Sequence, residues 1–287
     1  MKQKNNDRLS LFIWITFIAF ALWWLYINVF VRAPLSDNIH YKLFGATYGV
    51  MSLIGGCIGL AASRKWGSHK SMVGRALLFF SIGLLLQAFG QVAYSFYVYV
   101  LKVDIPYPSV GDVGYFGSVL LYIYAAWELS KALGFKLSVK NKTKKFIAVA
   151  VPLVLLSGSY YYFLRGYAFD FSSLKASLTV ILDFGYPLGQ AVYIAIAIMT
   201  YLLSRKMLGG VMKNKVLLVL FALVVQYTAD SSFLYAAKAE KFFASGANDF
   251  MYLLSYTVMA LALTTFRGGF TKPVEAPTTP SGQSSGE

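Results

Sequence analysis

Apolar residues run almost unbroken for about 20 positions at a time, eight times along the chain. The runs cover roughly 10–31, 42–63, 73–101, 113–134, 145–165, 176–204, 213–237 and 248–267. A helix rising 1.5 Å per residue needs about 20 such positions to cross a hydrocarbon core of roughly 30 Å. Each run therefore predicts one transmembrane helix. The pattern as a whole predicts an all-α, polytopic membrane protein in the cell membrane, with little chain left for a soluble domain. The first run is too long for a signal-peptide core and lacks a small-residue cleavage site, so it reads as a retained helix. Residues 268–287, rich in Pro, Ser, Thr and Gly, read as a disordered tail.

Composition agrees: 57% of the 287 residues are hydrophobic and 13% are charged, too apolar for an ordinary soluble domain. The net charge of +14 sorts by loop. One set of ends carries Lys2, Lys4 and Arg8, then Arg64 to Arg75, Lys131 to Lys145, Arg205 to Lys215, and Arg267 with Lys272. The opposite loops carry fewer cations, mixed with Asp37, Asp104, Asp170 and Glu240. This is the positive-inside bias. It predicts that both termini, 1–9 and 268–287, are cytoplasmic. Partnership with a lipid bilayer accounts for the basic clusters, and no folded module remains to present a nucleic-acid surface.

Metal and cofactor chemistry find little support. Cys57 is the only cysteine and falls inside the second run, so no intramolecular disulfide and no cysteine cluster can form. His40 and His69 fall in loops on opposite sides, whereas zinc needs several ligands converging on one place. No lysine lies mid-span where a retinal Schiff base could form. Gly45 and Gly49, then Gly55 and Gly59, sit at small-xxx-small spacing and read as a close helix-packing face. Glu128, near a cytoplasmic end beside Trp127, reads as a snorkelling side chain.

Sliding the chain against itself by half its length suggests an internal repeat. "SFYVYVLKVDIPYPSVGDVGYFGS" from Ser95 falls on "SFLYAAKAEKFFASGANDFMYLLS" from Ser232, so that Asp112 meets Asp249, Tyr115 meets Tyr252 and Ser118 meets Ser255. Four runs fall in each half, 10–134 and 135–267. An even number preserves orientation, giving two parallel four-helix repeats. Asp112 and Asp249 each open a span, where a carboxylate caps free backbone N–H groups.

The stretch "SLTVILDFGYPLGQ" (177–190) places Asp183 about 9 Å into the sixth span. Asp183, Pro187 and Gln190, spaced i, i+4, i+7, share one helix face with Tyr186 beside them. Pro187 cannot donate to the carbonyl of Asp183, which predicts a kink. Gln226 and Asp230 in the seventh span, and Gln87 and Gln91 in the third, are i, i+4 pairs at a similar depth. Charged groups at such depth face a bundle interior or a wet cavity. One outward-opening polar pocket, with Asp183 and Asp230 on a shared cavity and Asp112 and Asp249 at its rim, would gather all of them. Interhelical hydrogen bonds that only hold a bundle together, at about 0.6–2 kcal/mol each, would explain the same residues, and the sequence leaves both readings open.

"PYPSVGDVGYF" (106–116), "YPLGQ" (186–190), "ADSSF" (229–233) and "NDFMYLLSY" (248–256) resemble the multi-span membrane sensor region found N-terminal to bacterial diguanylate cyclases and histidine kinases. That family shows a proline-rich turn leading to Asp-x-x-Tyr, a Tyr-Pro-x-x-Asp step and a late Ala-Asp pair. Gln190 stands where the family usually has Asp, and no cyclase or kinase segment is present in these 287 residues, so the resemblance implies no output activity. It implies a non-enzymatic sensor or ligand-binding module for an unknown small ligand, signalling to a separate cytoplasmic or membrane partner. The alternative is a small-solute or proton-coupled transporter using the intramembrane carboxylates. No nucleophile–base pair or metal set can be assembled for an intramembrane enzyme.

Overall fold

The computed structural model describes residues 2–31, 38–103, 105–133, 142–166, 168–204, 211–239, 241 and 243–268. Among them the chain is helical throughout: α1 (Lys2–Phe30), α2 (Ile39–Thr47), α3 (Val50–Lys65), α4 (Met72–Ser95), α5 (Val110–Ala132), α6 (Lys142–Ser159), α7 (Leu174–Ser204), α8 (Val211–Lys238) and α9 (Ala247–Thr265). Each apolar run falls on helix, α2 and α3 together forming the second. Wider π-helical turns continue α4 through Phe96–Leu101 and α6 through Tyr160–Leu164. Among the described residues five stretches are long and apolar enough to cross a membrane: Asn5–Phe30, Ile39–Lys65, Met72–Leu101, Leu174–Leu202 and Met212–Ala236. The helices α5, α6 and α9 are shorter or more polar, and α5 and α9 carry Asp112, Glu128 and Asp249 among their apolar residues. Several of the basic loop residues, including Arg32, Lys136, Lys140, Arg205 and Lys206, and the tail segment 269–287 lie outside the described residues.

Six helical segments close a ring. Going round it, α3 packs on α4, α4 on α5, α5 on α7, α7 on α8, α8 on α9, and α9 back on α3. Outside the ring, α1 lies against α9 and α6 against α7. The outer face of α1 exposes Leu11, Ile15, Ile18, Leu22, Leu25 and Val29. A continuous apolar band of this kind is disfavoured against water and matched by lipid.

Close approach inside the ring depends on the glycine stripe of α3. A Cβ on Gly59 would stand 2.2 Å from Ser81 Oγ on α4 and 2.7 Å from Leu263 Cδ1 on α9. One on Gly49 would stand 2.6 Å from Gln91 Cγ. Removing the side chain here lets three backbones converge, as the small-xxx-small spacing predicts. At one end of the bundle Trp66 Nε1 donates to the Phe266 carbonyl at 2.7 Å, tying α3 to the C-terminal end of α9. At the other end Trp24 Nε1 and Asn28 Nδ2 donate to the carbonyls of Gly246 and Ser245, each at 3.1 Å, pinning α1 to the turn before α9.

Glu128 does not snorkel. Its side chain is 2% exposed and is held between Arg75 of α4 (Nη2 at 2.8 Å) and Lys131 one turn on. A carboxylate that close to two cations gains more from pairing than from reaching for water, which a one-dimensional reading from span ends could not see.

Candidate functional site

The ring encloses a cavity of about 620 Å³ at the end of the bundle where α4, α7 and α8 meet the connections to α5 and α9. Its wall is built by Gln87, Gln91 and Tyr94 of α4, Asp112 and Tyr115 of α5, Asp183, Tyr186 and Gln190 of α7, Asp230 of α8, and Asp249, Tyr252 and Tyr256 of α9. Gly45 of α2 and Tyr48, where α2 passes into α3, close it on one side, and the 105–109 turn borders it on another. Tyr107 in that turn is exposed, so the cavity reaches the molecular surface there.

Helix starts position two of the acids. Asp112 is the third residue of α5, and its Oδ2 accepts from Ser109 N at 2.8 Å and Ser109 Oγ at 2.9 Å. Asp249 is the third residue of α9, and its Oδ2 accepts from Ser245 N at 2.6 Å. Both satisfy backbone donors at a helix N-terminus and sit where the dipole favours negative charge. Capping thus occupies Oδ2 in each, and in Asp112 the other oxygen is turned to the cavity's own network. Asp112 Oδ1 accepts from the Tyr186 hydroxyl at 2.8 Å. The Tyr48 hydroxyl reaches Asp249.

The remaining acids are held by tyrosines too. Tyr107 donates to Asp183 Oδ1 at 2.7 Å. Tyr193 donates to Asp230 Oδ2 at 2.8 Å, Gln226 Nε2 donates to its Oδ1 at 3.0 Å, and the Tyr252 hydroxyl reaches it as well. Below them the glutamines link helices. Tyr115 donates to Gln91 Oε1 at 3.2 Å, while the Gln91 amide donates to the Gly45 carbonyl. Gln87 donates to Ser118 Oγ at 2.7 Å and accepts from Tyr256 at 2.9 Å. Ser255 donates to Gln226 Oε1. Buried polar groups need such partners, since each unmade bond costs about 1–3 kcal/mol.

Of the eight residues singled out from the sequence, Gln87, Gln91, Asp183, Tyr186, Gln190 and Asp230 stand on this wall. Asp183 and Asp230 share the cavity, each with its own tyrosine. Gln226 does not line it but backs Asp230 from behind. Pro187 is buried off the wall, and α7 continues as helix through it; lacking an N–H, Pro187 leaves the Asp183 carbonyl without its helical donor. Gln190 is 4% exposed, faces the cavity, and its side-chain amide has no hydrogen-bond partner among the described residues.

The tyrosines that the sequence reading missed are Tyr48, Tyr94, Tyr107, Tyr115, Tyr252 and Tyr256. A signal for some was present. Asp112/Tyr115, Asp183/Tyr186, Gln190/Tyr193 and Asp249/Tyr252 are all i, i+3 pairs. In the first three pairs the tyrosine bonds a polar group on another helix rather than its own neighbour, and Tyr252 reaches Asp230 of α8. Among the described residues no three His, Cys, Asp or Glu side chains converge as a metal-binding group. Comparison with family models, with curated proteins and with solved structures returned no match to this chain.

Proposed function

We propose that this chain is a non-enzymatic integral membrane sensor: a bundle of eight spans that binds a small ligand from outside the cell and signals to a separate partner. The observation that carries the proposal is the cavity, in which polar side chains of α4, α5, α7, α8 and α9, closed on one side by Gly45 of α2 and Tyr48, surround open space. Hydrogen bonds serving only as glue would close the helices on one another. Here they line open space, and the Gln190 amide faces that space without a hydrogen-bond partner among the described residues. A wall shared by six helical segments also gives a ligand leverage over their packing, which a signal needs.

The layout we infer is two parallel four-helix repeats about an axis along the membrane normal. Exchange of the halves maps the ring order onto itself, with α3, α4 and α5 taking the places of α7, α8 and α9. Cross-helix polar contacts support it in three layers. Tyr186 of the sixth span meets Asp112 of the fourth, as Tyr48 of the second meets Asp249 of the eighth. Tyr115 meets Gln91 as Tyr252 meets Asp230. Ser118 meets Gln87 as Ser255 meets Gln226. The loop charges orient this body with both termini in the cytoplasm, which places the cavity mouth outside.

The test is a melting screen of the purified protein in detergent against small polar metabolites, run on wild type and on Gln190→Trp. A compound that raises the melting temperature of wild type alone supports the reading. Stabilisation that survives the filled cavity counts against it. Solute flux through the protein in liposomes would favour the transporter alternative, for which the carboxylates of the wall and Pro187 in α7 are the relevant features.

A further inference from the structure

The wall of the cavity is unbalanced in charge. Among the described residues four carboxylates line it, Asp112, Asp183, Asp230 and Asp249, and no lysine, arginine or histidine does. Hydroxyl and N–H donors satisfy their lone pairs, but none of those donors carries a positive charge. Carboxylates in a low-dielectric bundle need a counter-charge, either a proton or a bound cation.

The shape says which kind of cation. A volume of about 620 Å³ far exceeds the roughly 30 Å³ share of a single water, and lies within the about 300–1,000 Å³ range of small-molecule sites. The acids do not converge as a chelating group, so they surround a body instead of gripping a point. Between them runs an aromatic wall: Tyr48 stacks on Tyr256 at 6.4 Å and 7°, and Tyr256 on Tyr252 at 6.0 Å and 27°. Electron-rich ring faces attract ammonium groups at about 0.5–2 kcal/mol each. The hydroxyl protons of Tyr107, Tyr115, Tyr186 and Tyr256 on the wall are already committed to carboxylates and glutamines, so what these four still offer a ligand is acceptor oxygen and ring face. Gln190 adds the one uncommitted amide, suited to fixing a neutral polar group on the same molecule.

We infer that the ligand is a small organic cation, an ammonium carried on an apolar or aromatic body. This rests on the cavity being a binding site, and specifies its charge class. The test uses detergent-purified full chain and calorimetric titration with three ammonium probes, phenethylammonium, phenyltrimethylammonium and tetraethylammonium. Phenethyl alcohol and phenylacetate serve as the neutral and anionic counterparts of the first. At least one cation should bind saturably, with phenethyl alcohol at least tenfold weaker than phenethylammonium and phenylacetate weaker still. Asp183→Asn, whose acid caps no helix, should weaken the cation about tenfold and leave the alcohol unchanged, with melting in the absence of probe confirming the fold. Gln190→Trp should block every probe. Equal binding of the alcohol or the anion, blocked by Gln190→Trp, would overturn the charge class while leaving the cavity as a site. Binding indifferent to Gln190→Trp would overturn both. Absence of binding by all three cations would overturn the cation assignment, and the metabolite screen would then judge the cavity independently.

Discussion

The Tyr186 hydroxyl on α7 donates to Asp112 Oδ1 on α5 at 2.8 Å, while Asp112 Oδ2 is held by Ser109 at the start of α5. One carboxylate therefore fixes a helix start and a helix–helix contact together. Phe116 packs edge-on against the Tyr186 ring at 5.4 Å, so the ring stays in place without its hydroxyl. Tyr186→Phe should lower stability by about 1 kcal/mol, the usual worth of such a bond. Asp112→Ala removes both bonds and should cost about 2 kcal/mol or more. Melting of the two variants and the double variant gives the coupling, and strict additivity would refute the shared role.

Asp230 separates binding from glue. Asparagine keeps its oxygen as acceptor for Gln226 Nε2, and its NH2 can donate to the Tyr193 hydroxyl, which turns to accept, so both contacts survive while the charge is lost. Asp230→Asn should leave melting nearly unchanged and weaken ligand response, while Asp230→Leu should destabilise by about 1–3 kcal/mol through the orphaned donors. A silent Asn beside an unstable Leu would leave only a structural hydrogen bond.

The glycine stripe predicts a sharp contrast. Gly59→Leu forces a side chain into space already occupied by Ser81 and Leu263, and the protein should fail to fold. Gly158→Ala, with nothing within 4 Å of the new methyl, should be neutral or slightly stabilising. Yield of monodisperse protein after detergent extraction checks both.

Glu128 sits between two cations that are themselves partly exposed, at 28% for Arg75 and 35% for Lys131. Those cations can rehydrate when their partner is lost, so Glu128→Gln should cost about 1–2 kcal/mol rather than the larger penalty of a fully buried pair. Chemical denaturation in detergent at low and high salt reads this, and the loss should shrink as salt rises.

Orientation is checked by single cysteines in a Cys57→Ser background. Ser172→Cys, in the exposed connection before α7, should react with an impermeant maleimide on intact cells. His69→Cys, exposed between α3 and α4, should react only after lysis. The reverse pattern would invert the proposed topology and put the cavity mouth in the cytoplasm.

The apolar runs by themselves determined that the chain is helical and where its helices fall, because hydrocarbon leaves a backbone no alternative that satisfies its own hydrogen bonds. The i, i+4 spacing of Gln87 with Gln91 and of Gln226 with Asp230 was enough to place polar faces at matching depth, since helical rise converts residue number directly into distance. Tertiary structure decided which of those faces meet. Tyr48 lies 201 positions from Asp249 and Tyr256 lies 169 from Gln87, and nothing local in the sequence couples such pairs. A tyrosine inside a span reads the same whether it turns to lipid, to a neighbouring helix or to a cavity. Only closure of the ring, by which α9 returns to α3, turned scattered hydroxyls into the donors for four acids and made Glu128 a buried ion pair rather than a snorkelling one.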